Sequence, residues 1–295
     1  MTQQPTQPHL TIIGTPSNLQ EATTRANKHK RKTYVTQKIK IGLALTLALI
    51  LLTPGVASTQ IPAWASLTYA AAILLLEIYT SCARPTRNWV SARETAENIK
   101  RHTWLYAVRG VPYDQGDDVD NAFKYHTYLI GISKQKGMIR YPAVSCEVTP
   151  SAAAIRDSSF SRRQSIYLEH RVRPMLAWYK ARATHHKRLG AFWKTVLTLA
   201  QLTAIILLVG QLAGWWRVDL SSILGALIAA AASWSGAKQH PYLASIYKDT
   251  AANLENRIQV LKNADEKEWG TLVTGYEDTL QEATKQWGAF RLGHN

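Results

Sequence analysis

The sequence predicts an all-α membrane protein: two tandem transmembrane helical hairpins, four spans in all, extended by long cytoplasmic helices. Three observations predict it. First, four apolar stretches, at about 39–57, 63–83, 192–214 and 219–237, fall into two pairs, each joined by a very short loop. Each stretch has about 18 to 23 residues, enough at about 1.5 Å per residue to cross a hydrocarbon core. A spanning helix satisfies its own backbone polar groups, so a pair of them is a stable unit in lipid. Second, charge is segregated. The mean hydropathy of −0.18 is that of a soluble protein, but it averages apolar blocks with long charged ones. Third, the two halves match. His29–Lys30–Arg31 precedes the first hairpin as His186–Lys187–Arg188 precedes the second. Thr95–Ala96–Glu97–Asn98–Ile99 follows the first as Thr250–Ala251–Ala252–Asn253–Leu254 follows the second. Both hairpins enter and leave on one side, so the repeat is parallel, unlike that of inverted-repeat transporters.

The elements follow in order. Residues 1–18 are rich in Gln, Thr and Pro and read as disordered. Residues 19–38 are polar and suit a helix feeding the first span. Pro85, just past the second span, predicts a kink or restart. A helix is predicted over about 87–108, with Trp89, Ala92, Ala96, Ile99, Thr103 and Tyr106 at three-or-four spacing. Gly110, Pro112 and the acidic stretch from Asp114 to Asp120 end it. Asp117 or Asp118 is expected to cap the next helix, over about 119–134. Residues 136–160 are expected to be an irregular linker. A helix from about 161 runs towards the third span. After the fourth, 241–290 reads as long helix with a break near Trp269–Gly270. The domains are therefore drawn at 19–135 and 161–295.

Charge position sets the expected topology. The net charge is +15 over 295 residues, and nearly all Lys and Arg lie before the first span, between the hairpins or after the last span. That bias puts both termini and the middle region in the cytoplasm and both tight turns outside. A multi-pass protein of a bacterial inner membrane is expected. A cleaved signal peptide ending near Gly55–Val56–Ala57 is disfavoured by the long polar segment before it and the second span after it. The excess positive charge would face anionic lipid through Lys28, Lys30, Arg31, Lys32, Arg84, Arg87, Lys187 and Arg188. No nucleic-acid motif accompanies it, so no nucleic-acid partner is expected. Cys82 and Cys146 suggest neither a disulfide framework nor a metal site, and Cys82 reads as a packing residue.

The stretch from Ala92 to Lys100, followed by Trp104–Leu105–Tyr106–Ala107–Val108–Arg109–Gly110–Val111–Pro112–Tyr113, resembles the bacterial SLATT family. The second half is similar to that family through Tyr167–Leu168–Glu169–His170–Arg171–Val172, Trp178–Tyr179 and Lys238–Gln239–His240. The resemblance covers most of residues 20–265 as two tandem domains. It implies two-transmembrane-helix domains of nucleotide-signalling defence systems, supplying membrane-disrupting effectors. An upstream nucleotide-derived signal is implied too, although no motif here would bind one. No fused sensor or enzyme domain is expected within these residues, a departure from the layout that the resemblance implies.

Within the spans, Glu77 is the acid that lies deepest, about five residues from the cytoplasmic end of its helix. A carboxylate there costs a few kcal/mol unless it meets water or a partner. It therefore either pairs helices or faces a path for cations. Gln201 and Gln211 in the third span invite the same two readings, with interhelical hydrogen bonding favoured. The fourth span is rich in small residues, among them Ser222, Gly225, Ala229 and Ser233. They would let helices approach closely, by packing on the third span or by lining a pore. The histidines lack metal-ligand spacing, the acidic turn lacks EF-hand order, and there is no phosphate loop or nucleophile elbow. No metal, no cofactor and no enzymatic activity are expected. The sequence reads as an oligomeric inner-membrane pore or channel effector gated by its cytoplasmic helices, a symmetric homo-oligomer because four spans leave little room for a pore. The alternative is a non-conducting membrane-anchored scaffold or sensor whose basic helices bind lipid or a partner protein. A transporter ranks last, because the spans show few internal breaks.

Overall fold

The structure, a computed structural model, describes residues 10–52, 63–133, 147–215 and 220–293. Every regular element among these is a helix. In chain order they are α1 (Leu10–Ile13), α2 (Ser17–Leu52), α3 (Ala63–Ala83), α4 (Pro85–Ala107), α5 (Val119–Ser133), α6 (Pro150–Arg156) and α7 (Phe160–Tyr167). A π turn at Leu168–Val172 leads into α8 (Arg173–Leu212). Then come α9 (Leu220–Lys238), α10 (His240–Asn263) and α11 (Glu266–Leu292). The polar stretch 19–38 and the start of the first apolar stretch form one uninterrupted helix. The restart expected at Pro85 sits between α3 and α4, where Arg84 has φ 41°.

Several local expectations differ from what is found. Within residues 1–18, read as disordered, Leu10–Ile13 is helical with Ile13 fully buried, and α2 begins at Ser17. Within the stretch expected to be irregular, Pro150–Arg156 is helical. Thr149 caps it, its hydroxyl accepting from the Ala152 N–H at 3.2 Å, and Pro150 takes the first-turn position where a missing N–H costs nothing. The break expected at Trp269–Gly270 lies earlier, at residues 264–265. There the Asp265 carboxylate accepts from the Glu268 N–H at 2.9 Å and starts α11. Trp269 and Gly270 are interior to that helix, and both are buried. Asp118 stands immediately before α5, its carboxylate accepting from Asn121 Nδ2 at 2.9 Å. Cys82 is exposed, so it is not the packing residue expected; Cys146 lies outside the described residues.

The chain divides into two compact units that do not follow its order. A helical unit comprises residues 1–30, 86–183 and 245–295, and a hairpin unit comprises 31–85 and 184–244.

The helical unit has the core of a water-soluble protein. Tyr167 is at its centre, edge-on to Trp104 (5.7 Å between centroids), Trp269 (5.8 Å) and Tyr276 (6.1 Å). All four rings are almost fully buried. Edge-to-face pairs of this kind add to the large area each ring removes from water. Trp269 Nε1 donates to the Val108 carbonyl at 2.8 Å, tying α11 to the end of α4. A buried ion pair runs beside the rings. Arg171 donates through Nε to Glu277 Oε1 (2.9 Å) and through a terminal nitrogen to Oε2 (2.8 Å). The Tyr167 hydroxyl donates to the same carboxylate at 3.0 Å. This fork satisfies a carboxylate with no solvent exposure. Burial would weaken the charge on Arg171, but Glu277 reverses that and holds the guanidinium more firmly protonated than in water.

Candidate functional site

The candidate pore and helix-pairing residues read from the sequence lie on α3, α8 and α9 of the hairpin unit; of the candidate headgroup contacts, Lys28, Lys30 and Arg87 belong to the helical unit and Arg31, Lys32, Arg84, Lys187 and Arg188 to the hairpin unit. On α8, Leu199, Leu202, Ile205, Ile206, Leu208, Val209 and Leu212 lie on one side of the helix, and all are exposed; Leu212 is 80% exposed. On α3, Leu67, Leu74, Leu75 and Ile78 are exposed likewise. An apolar face this wide belongs in a core or in lipid, and these side chains are in no core. One described stretch is long and apolar enough to cross a membrane. It is Phe160–Leu212, whose apolar window has a mean hydropathy of 1.9 and is 6% buried. The other expected crossings border on or run into residues 53–62 and 216–219, outside the described residues.

Glu77 forms an ion pair with Lys40 of α2, and Lys40 Nζ lies 3.4 Å from Thr80 Oγ1. Residues 77 and 80 are one turn apart on α3, so a single lysine reaches both. The Tyr69 hydroxyl donates to the Leu43 carbonyl, a second polar tie between α2 and α3. The pair is not sealed within protein, since Glu77's side chain is 61% exposed. Lys40 is the partner that sequence reasoning missed. A lysine sitting just inside an expected span was the available signal.

The remaining predicted residues are not brought together into one site. Gln201 is exposed on α8. Gln211 is half-buried, and its Oε1 is buried with no hydrogen-bond partner among the described residues. Gly225, Ala229 and Ser233 are four residues apart, share one face of α9, and are exposed rather than packed. The side chain of Ser222 lies outside the described residues. Of the basic residues, Lys28, Arg31, Lys32, Arg84, Arg87, Lys187 and Arg188 are exposed. Lys30 is only partly so.

Polar side chains also meet at one end of the hairpin unit's described helices. Lys238 Nζ lies 4.1 Å from the Tyr34 ring centre and 4.3 Å from that of Trp234. Both are cation–π contacts, and Trp and Tyr with Lys are the residues of a membrane–water interface. His186 Nδ1 and His240 Nδ1 are 2.8 Å apart. Among the described residues, no three metal-ligating side chains gather.

The helical unit holds a cleft of about 260 Å³ whose lining includes Glu97, Asn98, Arg101, Arg171, Glu277 and Gln281. Its polar groups are mostly engaged with one another. Arg101 pairs with Asp278 at 2.5 Å, and Gln281 donates to Asn98 at 2.9 Å. Glu97 pairs with Lys100 at 2.9 Å. Burial pushes the Glu97 carboxyl up, but Lys100, Arg93 and Arg171 outweigh it and hold its pKa at about 2. Asn253, the sequence counterpart of Asn98, is exposed.

Comparison with known proteins finds two family matches, one after the other. Residues 16–164, half of the chain, match the family described as "SMODS and SLOG-associating 2TM effector domain 3". Residues 167–287 match "SMODS and SLOG-associating 2TM effector domain 1". No curated protein and no solved structure matches the chain.

Proposed function

The chain belongs to the SLATT family, as two tandem two-transmembrane effector domains, and on that footing we propose that it is an oligomeric membrane pore effector. Membership of the family makes it a membrane-associated effector of conflict systems. The finer reading is a four-span protein of a bacterial inner membrane, with both termini and residues 84–191 in the cytoplasm. Copies associate through the small-residue face of α9, and the cytoplasmic helices gate the path between them. The observation that carries it is the contrast in solvation. The hairpin unit turns Leu75 and Ile206 outward while the helical unit buries its aromatics. Apolar side chains arranged this way are stable in acyl chains and unstable in water.

The Lys40–Glu77 pair favours a second reading, a non-conducting anchored scaffold. Glu77 finds its counter-charge inside its own hairpin, which removes one reason for it to face a water-filled path. Cation flux into liposomes carrying the purified protein separates the two. The pore reading expects flux, and expects Glu77→Gln to change its rate or selectivity while assembly persists. A tight liposome, or a protein that stays monomeric in the bilayer, selects the scaffold.

A further inference from the structure

Four cations converge in the helical unit from four helices that are distant in sequence: Lys30 of α2, Arg93 of α4, Arg182 of α8 and Arg291 of α11. We infer that these four residues form a binding site for a phosphate-bearing anion. Two of the guanidinium groups share one aromatic pair. Trp89 and Trp287 meet edge to face at 5.1 Å. Arg93 Cζ lies 4.2 Å from the Trp287 ring centre, and Arg291 Cζ lies 5.6 Å from Trp89 and 5.8 Å from Trp287. Arg182, itself buried, is 5.5 Å from the ring of Trp178.

Stacking engages the face of a guanidinium and leaves its in-plane N–H donors for an acceptor. The Nε atoms of Arg93 and Arg291 are buried with no hydrogen-bond partner among the described residues. Orphaned buried donors on a charged group are costly and call for an acceptor.

The charge balance points the same way. Burial lowers the basicity of Lys30, and Arg93, Arg182 and Arg291 lower it further, so Lys30 feels all three guanidinium groups. Among the described residues, the carboxylates of Glu94 and Glu97 come near. Glu94 lies against Gly288, and Glu97 is attracted by Arg93 but is hydrogen-bonded to Lys100. The cluster stays net positive. A phosphate group supplies what is missing: up to two negative charges and several oxygens in a tetrahedral array, which can accept from donors arriving on different helices. That group can belong to a soluble phosphate or to an anionic lipid headgroup. The site does not depend on whether the protein conducts.

The full chain in phosphatidylcholine nanodiscs, at fixed ionic strength, tests it. One arm adds inorganic pyrophosphate; the other adds phosphatidic acid to the bilayer. Tryptophan fluorescence reports on Trp89 and Trp287, and thermal unfolding reports on occupancy. A fluorescence change with a raised Tm in either arm supports the site, and the responding arm identifies the source. Arg291→Gln and Lys30→Met should each weaken that response about tenfold. Lys30→Met should also melt no lower than the wild type without ligand, because it removes one of four like charges and leaves the arginine–tryptophan contacts in place. No response in either arm overturns the proposal. So do variants that respond like the wild type, or a Lys30→Met protein that melts markedly lower without ligand, which would mark the cluster as a structural brace.

Discussion

The two units bury opposite things. In the helical unit Trp104, Trp269 and Tyr276 are almost wholly enclosed, and even an ion pair, Arg171–Glu277, is sealed from solvent. In the hairpin unit leucines and isoleucines face outward, and both partners of the Lys40–Glu77 pair are exposed. The same residue types thus take opposite positions within one chain. On the proposed reading, what differs is the solvent each unit is built for: water drives apolar groups inward, whereas lipid tails are as apolar as leucine and do not.

The comparison can be pressed hardest at the two ion pairs. Glu277→Ala leaves Arg171 buried without its carboxylate and should cost the helical unit about 3–5 kcal/mol. Loss of the near-ultraviolet circular dichroism of its tryptophans at a lower temperature would report it. Lys40→Met strands Glu77 instead. If the hairpin unit stood in water, the exposed pair would be worth at most about 1 kcal/mol. In a bilayer the lone acid should cost about 2–3 kcal/mol, and Lys40→Met/Glu77→Gln should restore most of it. Thermal unfolding in nanodiscs distinguishes the two values.

A smaller effect is confined to the helical unit. Burial, with Arg101 and His126 nearby, lowers the His102 pKa to about 3, and its Nδ1 lies 2.6 Å from the Tyr113 hydroxyl. The unfolded chain binds a proton below about pH 6.5 that the folded chain refuses. The stability is fully present above that pH and is lost as pH falls towards 3, at up to about 1.4 kcal/mol per unit. Denaturant titrations between pH 7.5 and 5 should show this slope, and His102→Gln should flatten it. Smallest of all is Leu75→Ala. At an outward position in lipid it should change the stability in nanodiscs by less than about 0.5 kcal/mol. A cost of 2 kcal/mol or more, on the order of a core truncation, would show that Leu75 is packed against protein.

Helices were legible in the sequence wherever pattern is local. The apolar stretches, the restart at Pro85 and the three-or-four spacing from Trp89 to Tyr106 each depend on neighbours within a few turns. The cap at Thr149 is local too, but it sits in a Pro- and Ser-containing stretch that reads as loop until the Thr–Pro order is weighed. The division into units was not legible. It cuts α2 between Lys30 and Arg31, a point with no Gly, Pro or change of charge. Nor were the pairs that matter electrostatically. Lys40 meets Glu77 across 37 positions, and Arg171 meets Glu277 across 106. Spacing rules link residues three or four apart on a helix, and nothing in a single sequence links these. The cluster of Lys30, Arg93, Arg182 and Arg291 is hidden for the same reason.

The central claim is that one unit is solvated by lipid and the other by water. Spin labels at Leu75 and Ile206, and at Tyr125 and Val260 of the helical unit, test it directly. All four side chains are exposed, so exposure alone does not separate them. In nanodiscs, with Cys82 and Cys146 replaced by serine, the labels at 75 and 206 should collide with dissolved oxygen and be shielded from a water-soluble nickel chelate. Those at 125 and 260 should behave in the opposite way. Equal access of the nickel chelate to all four positions would contradict the account.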